Sequence, residues 1–362
     1  MSSEGALSVK LTAANGRVAR VEVTFSGLVR AATVLAGRTP DDVLRLVPAL
    51  FPVCGVAHGV ACARAVAAAL GAVRDPRLEG ASQVACLAEA AASHVWHLAI
   101  GWADAACVPV DVGSVRTARR ALEALRTGLF GAGSLATLRP DAAIGDAGDA
   151  VSTLVALLEA LTAGDCALLG RVREAGRAAF GATMTSAVAA LDIDAVGLLL
   201  AADPGFAQHA ELDGGPVDVS ALARQRESGH VRAIAKEHGE GLLARLVARR
   251  DDARGVGLRL AESFANLERR VAGSPRAPTA PGTGVGWAET ARGPLVYWVR
   301  ATPTCVEDVR VVSPTDWTFH PRGALRGALL DAEVVPTLAR DAGWLTLALD
   351  PCVPWAVEVN DA

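Results

Sequence analysis

The chain has 362 residues, enough for one large domain or two ordinary ones, and either would bury a sizeable core without covalent staples. Its 35 basic and 39 acidic residues leave a net charge of -4, and the basic residues are scattered rather than gathered into one run, which argues against a nucleic-acid partner. Seven cysteines (Cys54, Cys62, Cys86, Cys107, Cys166, Cys305 and Cys352) are odd in number and lack short paired spacings, so they argue against a secreted disulfide framework and point to the cytoplasm.

The first twenty residues have no basic start, apolar run or cleavage site of a signal peptide. The most apolar stretches, near residues 60 and 151, are too short or too interrupted by charge to span a bilayer, and membrane insertion is not expected. Residues 6–25 alternate apolar and polar side chains about Asn15-Gly16, which predicts a β-hairpin. Pro40-Asp41-Asp42 opens a helix running to about Pro48, and apolar residues at three- and four-residue intervals predict helices from about Val56 to Val73 and from Leu78 to Ala103. Between about 114 and 271, alanine-rich amphipathic segments predict several packed helices. Residues 274–286 have the Pro/Gly/Thr content of a loop or linker and divide residues 1–273 from 287–362. Beyond them, PLVYWVRA and VEDVRVV read as strands, a helix follows the Pro321 turn, and Pro351 and Pro354 forbid regular helix in the final tail. The whole is a mainly α chain with an N-terminal β-hairpin and a small mixed C-terminal part.

Two cysteines stand in distinctive settings. Cys54-Gly55 lies just ahead of a long helix, where the positive end of the helix dipole favours a thiolate and Gly55 lets a ligand approach the backbone. Cys352, in Asp350-Pro351-Cys352, lies in a proline-stiffened tail. Either one alone also reads as a buried core cysteine. Taken together they suggest a soft-metal site, because thiolates brought from distant parts of a chain suit such metals.

These two segments resemble the metal motifs of nickel-iron hydrogenase large subunits. The first family motif is arginine-x-cysteine-glycine-x-cysteine with a later histidine; here Pro52 replaces the arginine, Ala57 the second cysteine and Ala61 the histidine. The second is aspartate-proline-cysteine-x-x-cysteine-x-x-histidine; here Trp355 replaces the second cysteine and Glu358 the histidine. Further landmarks follow in order. Gly37-Arg38-Thr39-Pro40, Glu289-Thr290-Ala291-Arg292-Gly293, Ser313-Pro314-Thr315-Asp316-Trp317 and His97 each resemble a family segment. The likeness covers both ends well and the central helices poorly.

The resemblance implies a large-subunit-like fold that brings Cys352 beside Cys54 and Arg292. It also implies a lost activity, since two thiolates cannot build a nickel-iron pair, so neither nickel nor hydrogen turnover is expected. Pro314, Thr315 and Arg292 match the pocket that holds the diatomic ligands of the iron, and Arg292 and Thr315 supply donors suited to a cyanide nitrogen. A buried, unpaired Arg292 favours a bound anionic group; pairing with Glu289 or Asp316 at the surface is the alternative. His58, four residues after Cys54, reads as a helix-start histidine in water, with a role as third ligand the alternative. The chain ends four residues after Glu358, so no cleavable extension is expected.

The pattern as a whole is similar to the HupK and HoxV accessory proteins. That resemblance implies a scaffold that transiently holds iron with cyanide and carbon monoxide and passes it to the apo large subunit. Its implied partners are the small hydrogenase chaperone and the iron-cyanation complex. A metal-free structural chaperone or decoy that binds the same maturation partners is the alternative, and an enzyme using Cys54 as nucleophile ranks last.

Overall fold

The alternation of Leu7, Val9 and Leu11 with polar neighbours produces strand β1 (Ala6–Ala14), with those three side chains buried. Asn15 and Gly16 then adopt the positive φ angles, 54° and 75°, that a tight turn into β2 (Arg17–Ser26) requires. The hairpin read from the sequence is present. The structure, a computed structural model, describes residues 5–26, 34–131, 135, 144–164, 166–183, 186–267 and 280–361.

Helix α1 (Pro40–Leu50) starts where Thr39 accepts from the Asp42 amide, with Pro40 in the first turn. Next come α2 (Gly55–Ala69) and α3 (Pro76–Trp96), the latter capped by the Asp75 side chain. The chain continues through a π-helical turn, His97–Trp102, and a last short turn, Ala103–Ala105. The central region holds α4 (Val112–Phe130), α5 (Ile144–Thr162), α6 (Ala167–Glu174), β3 (Ser186–Ala187), α7 (Ile193–Ala202), β4 (Val217–Asp218), α8 (Ala221–Gln225), α9 (Gly229–His238) and α10 (Leu242–Ala265). Helices α3, α4, α5 and α10 pack on one another as a bundle.

After the bundle come β5 (Thr283–Thr290), β6 (Gly293–Ala301) and β7 (Val306–Val312), an antiparallel sheet in that order. Both of its faces are covered. Leu295, Tyr297 and Val299 belong to the main core, while Val296, Trp298 and Val312 join Val196, Leu200 and Trp317 in a smaller one. The chain closes with α11 (Pro314–Thr318), α12 (Ala324–Leu329), α13 (Leu338–Leu349) and β8 (Trp355–Asp361).

One reading of the sequence needs correction, and one segment left without a form gains one. Residues 283–286, read as the end of a linker, are the first residues of β5, and 274–279 lie outside the described residues. Their glycines serve packing. A Cβ on Gly284 would sit 2.2 Å from the Ala65 carbonyl oxygen and one on Gly286 2.2 Å from that of Ala61, so helix α2 lies directly on strand β5. The C-terminal tail is a strand: β8 pairs in parallel with β1, Leu7 opposite Trp355, and the Leu7 amide donates to the Pro354 carbonyl at 2.9 Å. One hydrophobic core runs from Leu7 to Val353, uniting the parts on either side of the linker.

Among the described residues, two stretches, Pro76–Ala105 and Ala147–Glu174, are long and apolar enough to cross a membrane; the second contains the stretch near residue 151 that reads as too short in the sequence, whereas the one near residue 60 lies in the shorter helix Gly55–Ala69. In Pro76–Ala105, 78% of the most apolar window is buried inside the protein, as in a core helix.

Candidate metal centre

Cys54 is the N-cap residue of α2, and its amide donates to the Phe51 carbonyl at 3.2 Å to close the turn from α1. Gly55 has a packing reason: a Cβ there would sit 2.5 Å from the Pro48 carbonyl oxygen, so it admits helix α1 instead of a ligand. The first amides of α2 are also taken. The buried Glu89 of α3 accepts from Val56 at 2.7 Å and from Ala57 at 2.9 Å. Burial pushes the Glu89 carboxyl up to about 7 against the opposing pull of those two amides. The position where the family's second cysteine would stand, Ala57, is thus tied to a carboxylate.

Cys352 arrives from the other end of the chain. Helix α13 stops at Asp350, whose left-handed backbone (φ 55°) turns the chain toward the cavity. The Cys352 sulfur lies 3.1 Å from Thr315 Oγ1. Burial raises its thiol and the nearby Arg292 guanidinium opposes that rise. Thr315 and Pro314 open α11, which is fixed by a reciprocal cap: the Ser313 amide donates to the Asp316 carboxylate at 2.7 Å and Ser313 Oγ accepts from the Asp316 amide at 3.3 Å.

Arg292 sits at the β5–β6 turn, 6% exposed. Neither of its two expected states is found. It is paired, and with a residue not anticipated: Nη2 meets Asp350 Oδ1 at 3.1 Å, Nε donates to the Asp350 carbonyl at 3.0 Å and Nη1 to Ser93 Oγ at 3.1 Å. Of the five N–H donors of a guanidinium, these contacts use three and leave two without an acceptor among the described residues. Glu289, offered as a partner, lies 3.6 Å from Arg224, and Asp316 is engaged by Ser313.

Cys54, Cys352, Arg292, Thr315 and Pro314 all line one cavity of ≈ 30 Å³, whose remaining walls include Phe25, Phe51, Leu295 and Val353. His58 lines it too and is not in water. It is 2% exposed, stacked on Phe51 at 3.7 Å, with Nδ1 2.6 Å from the Tyr297 hydroxyl. Burial lowers its pKa to about 3, so the ring is neutral. Glu358, at the family's terminal histidine position, lies on β8 with Lys10 at 3.9 Å and does not line the cavity.

Behind the cavity is a buried ionic layer that the sequence reading missed. Asp350 also meets His97 at 3.2 Å and Arg249 at 3.2 Å, and Arg249 donates to the Ala291 carbonyl at 2.8 Å. Next to it, Asp252 takes Arg224 at 2.6 Å, while His94 stands 3.5 Å away, too far for a good hydrogen bond. The signal was legible in part: Arg245, Arg249 and Asp252 fall on the same face of α10 as Leu242, Val256 and Leu260, charges where a core helix should be apolar. Among the described residues no group of three or more His, Cys, Asp or Glu side chains is arranged to hold a metal by itself.

No protein-family model matches the chain. In fold it is similar to the [NiFeSe] hydrogenase of D. vulgaris Hildenborough (TM-score 0.67, 16% identity, 94% of this chain and 95% of that one). The Desulfomicrobium baculatum enzyme gives a TM-score of 0.65 at 15% identity. At that identity the likeness establishes a large-subunit fold and nothing finer. In sequence it is 29% identical, over 99% of both chains, to the hydrogenase expression/formation protein HupK of Azotobacter vinelandii, and 29% identical over 91% of its length to HupK of Bradyrhizobium diazoefficiens. A 91-residue stretch is 41% identical to HoxV of Cupriavidus necator. The chain is thus similar in sequence to hydrogenase expression/formation proteins named HupK and HoxV, and in fold to nickel-iron hydrogenase large subunits. The relatives carry names of accessory proteins, while the solved structures of similar fold are enzymes.

Proposed function

We propose that this protein serves nickel-iron hydrogenase maturation as a non-catalytic cytoplasmic scaffold. It takes iron carrying cyanide and carbon monoxide from the small hydrogenase chaperone and the iron-cyanation complex, holds it through Cys54 and Cys352, and passes it to the apo large subunit. The observation that carries this reading is the meeting of two thiols, from opposite ends of the chain, on one cavity that also presents a guanidinium.

The donor set suits such a cargo. Thiolates are soft ligands for a transition metal, and binding would displace the proton that burial keeps on Cys352. Arg292 is held rigidly by Asp350 and has two N–H donors left for groups that only accept hydrogen bonds. Nickel is not part of the proposal. Ala57 offers no thiol, and Trp355 stands on the half-exposed strand β8, so the bridging ligands of a bimetallic centre are missing.

The metal-free chaperone reading draws support from a different observation, the Arg292–Asp350 ion pair, which balances the guanidinium charge without a guest. The two readings part on one assay: the hydrogenase activity of a host carrying each variant, with the iron content of the purified protein. The scaffold account expects Cys54→Ala and Cys352→Ala each to lose the iron and to lower hydrogenase activity alike. If the doubly substituted protein still supports full activity, the metal-free reading takes over.

A further inference from the structure

His58 lies one helical turn beyond Cys54 on α2, with its amide donating to the Cys54 carbonyl at 3.0 Å. Its ring is clamped on two sides, flat against Phe51 (interplanar angle 12°) and edge-on to Tyr297 (86°). Tyr297 is the chain's single tyrosine and is fully buried in β6. Among the described residues, its hydroxyl has one hydrogen-bond partner, His58 Nδ1.

That arrangement fixes where the ring proton sits. A buried phenol left with nothing to donate to loses about 1–3 kcal/mol, so the Tyr297 O–H donates to Nδ1. With Nδ1 accepting, the proton of the neutral ring is on Nε2. Nε2 has no acceptor among the described residues, and the side chain forms part of the cavity wall. In this tautomer Nε2 is a donor; ligation of a metal by His58 would require the proton to move to Nδ1 and the Tyr297 hydroxyl to become the acceptor.

We propose that His58 Nε2–H, oriented by Tyr297, is a further hydrogen-bond donor to an acceptor-only end of the cargo, on the α2 wall of the cavity, in addition to Arg292 at the β5–β6 turn, while the Thr315 hydroxyl faces the Cys352 sulfur at 3.1 Å. This assignment rests on the iron-scaffold reading above, and it gives the two cyanide nitrogens separate donors on separate elements. Positioning is the consequence. One donor is set by a helix and the other by a sheet turn, so the cargo is oriented by the packing of α2 on β5.

The test is infrared spectroscopy of protein purified anaerobically from a host that expresses the hydrogenase maturation genes. His58→Phe keeps a ring against Phe51 and removes the donor. It should retain iron through the thiols and shift one of the two cyanide bands, leaving the other cyanide band and the carbon monoxide band in place. Tyr297→Phe should move the same band by a smaller amount. Iron-loaded His58→Phe with both cyanide bands unmoved would overturn the assignment and leave the scaffold standing, whereas native protein without bands would sink the scaffold and this donor with it. Should His58→Phe not fold, nitrogen-15 NMR of histidine-labelled native protein and Tyr297→Phe decides. The native ring should be protonated on Nε2, with tautomers mixing once the phenol is gone; a native ring protonated on Nδ1 overturns the inference.

Discussion

Asp350 shows how much a single side chain governs here. It faces Arg292, Arg249 and His97 and is 3% exposed, so two guanidinium groups are balanced by one carboxylate. The charges around it hold its carboxyl well below the usual range, in spite of burial. Asp350→Asn would keep the shape and remove the charge, leaving two buried guanidinium groups with a partner short. Breaking a buried pair in this way costs about 3–5 kcal/mol. We expect a correspondingly lower urea midpoint, together with loss of bound iron because Arg292 loses its anchor. The sequence carried the two cysteines, Thr315, Pro314 and Arg292 in short motifs, and these were legible because each motif is local. Partners were not. Arg292 and Asp350 are 58 positions apart, as are no two residues that a local pattern can pair, and Glu89 reaches Val56 across 33.

At the scale of elements, the contact of α2 with β5 sets the distance between the Cys54 end of the helix and the turn that bears Arg292. Gly286→Ala puts a methyl 2.2 Å from the Ala61 carbonyl oxygen, a backbone atom that cannot swing away. Overpacking of this kind typically costs about 1–3 kcal/mol. The variant should melt earlier and hold less iron. Gly128→Ala on α4 is the control, since its added methyl meets nothing within 4 Å; there alanine should stabilise slightly, by about 0.5–1 kcal/mol. The periodicity of α2 and α3, and the β-branched runs of β6 and β7, were readable as elements. Strand β5 was not, because the glycines that permit close helix packing carry the same signature as a linker. Strand β8 was hidden by Pro351 and Pro354, although Val357 and Val359 alternate as a strand should.

For the whole molecule, opposed titrations shape the dependence of stability on pH. The histidines His58 (about 3), His94 (about 4) and His97 are lowered by burial; their stabilisation is full above about 6.5 and is lost as pH falls toward those folded values. Glu89 and Asp316 are raised by burial to about 7, so their contribution is present below about 4 and is lost as pH rises through 7. Between about pH 5 and 6.5 the two sets offset one another. Below that range the offset ends. Asp350 and Asp252, both held well below the ordinary carboxylate range, must then take up protons on unfolding-linked acidification as well. Urea midpoints should therefore change little from pH 6.5 to 5 and fall steeply below about 4.5. Glu89→Gln should remove part of the offset and make the decline begin near 6.5. A profile that stays level down to pH 3.5 would mean that the buried layer is not ionised as described.

In the proposed function, Cys54 and Cys352 together hold iron with its diatomic ligands. Infrared spectra of the native protein, purified anaerobically beside Cys54→Ala and Cys352→Ala, test it most directly. Cyanide and carbon monoxide bands are expected in the native protein and in neither variant. Bands that persist in either variant, or their absence from the native protein while the partner chaperone shows them, would contradict it.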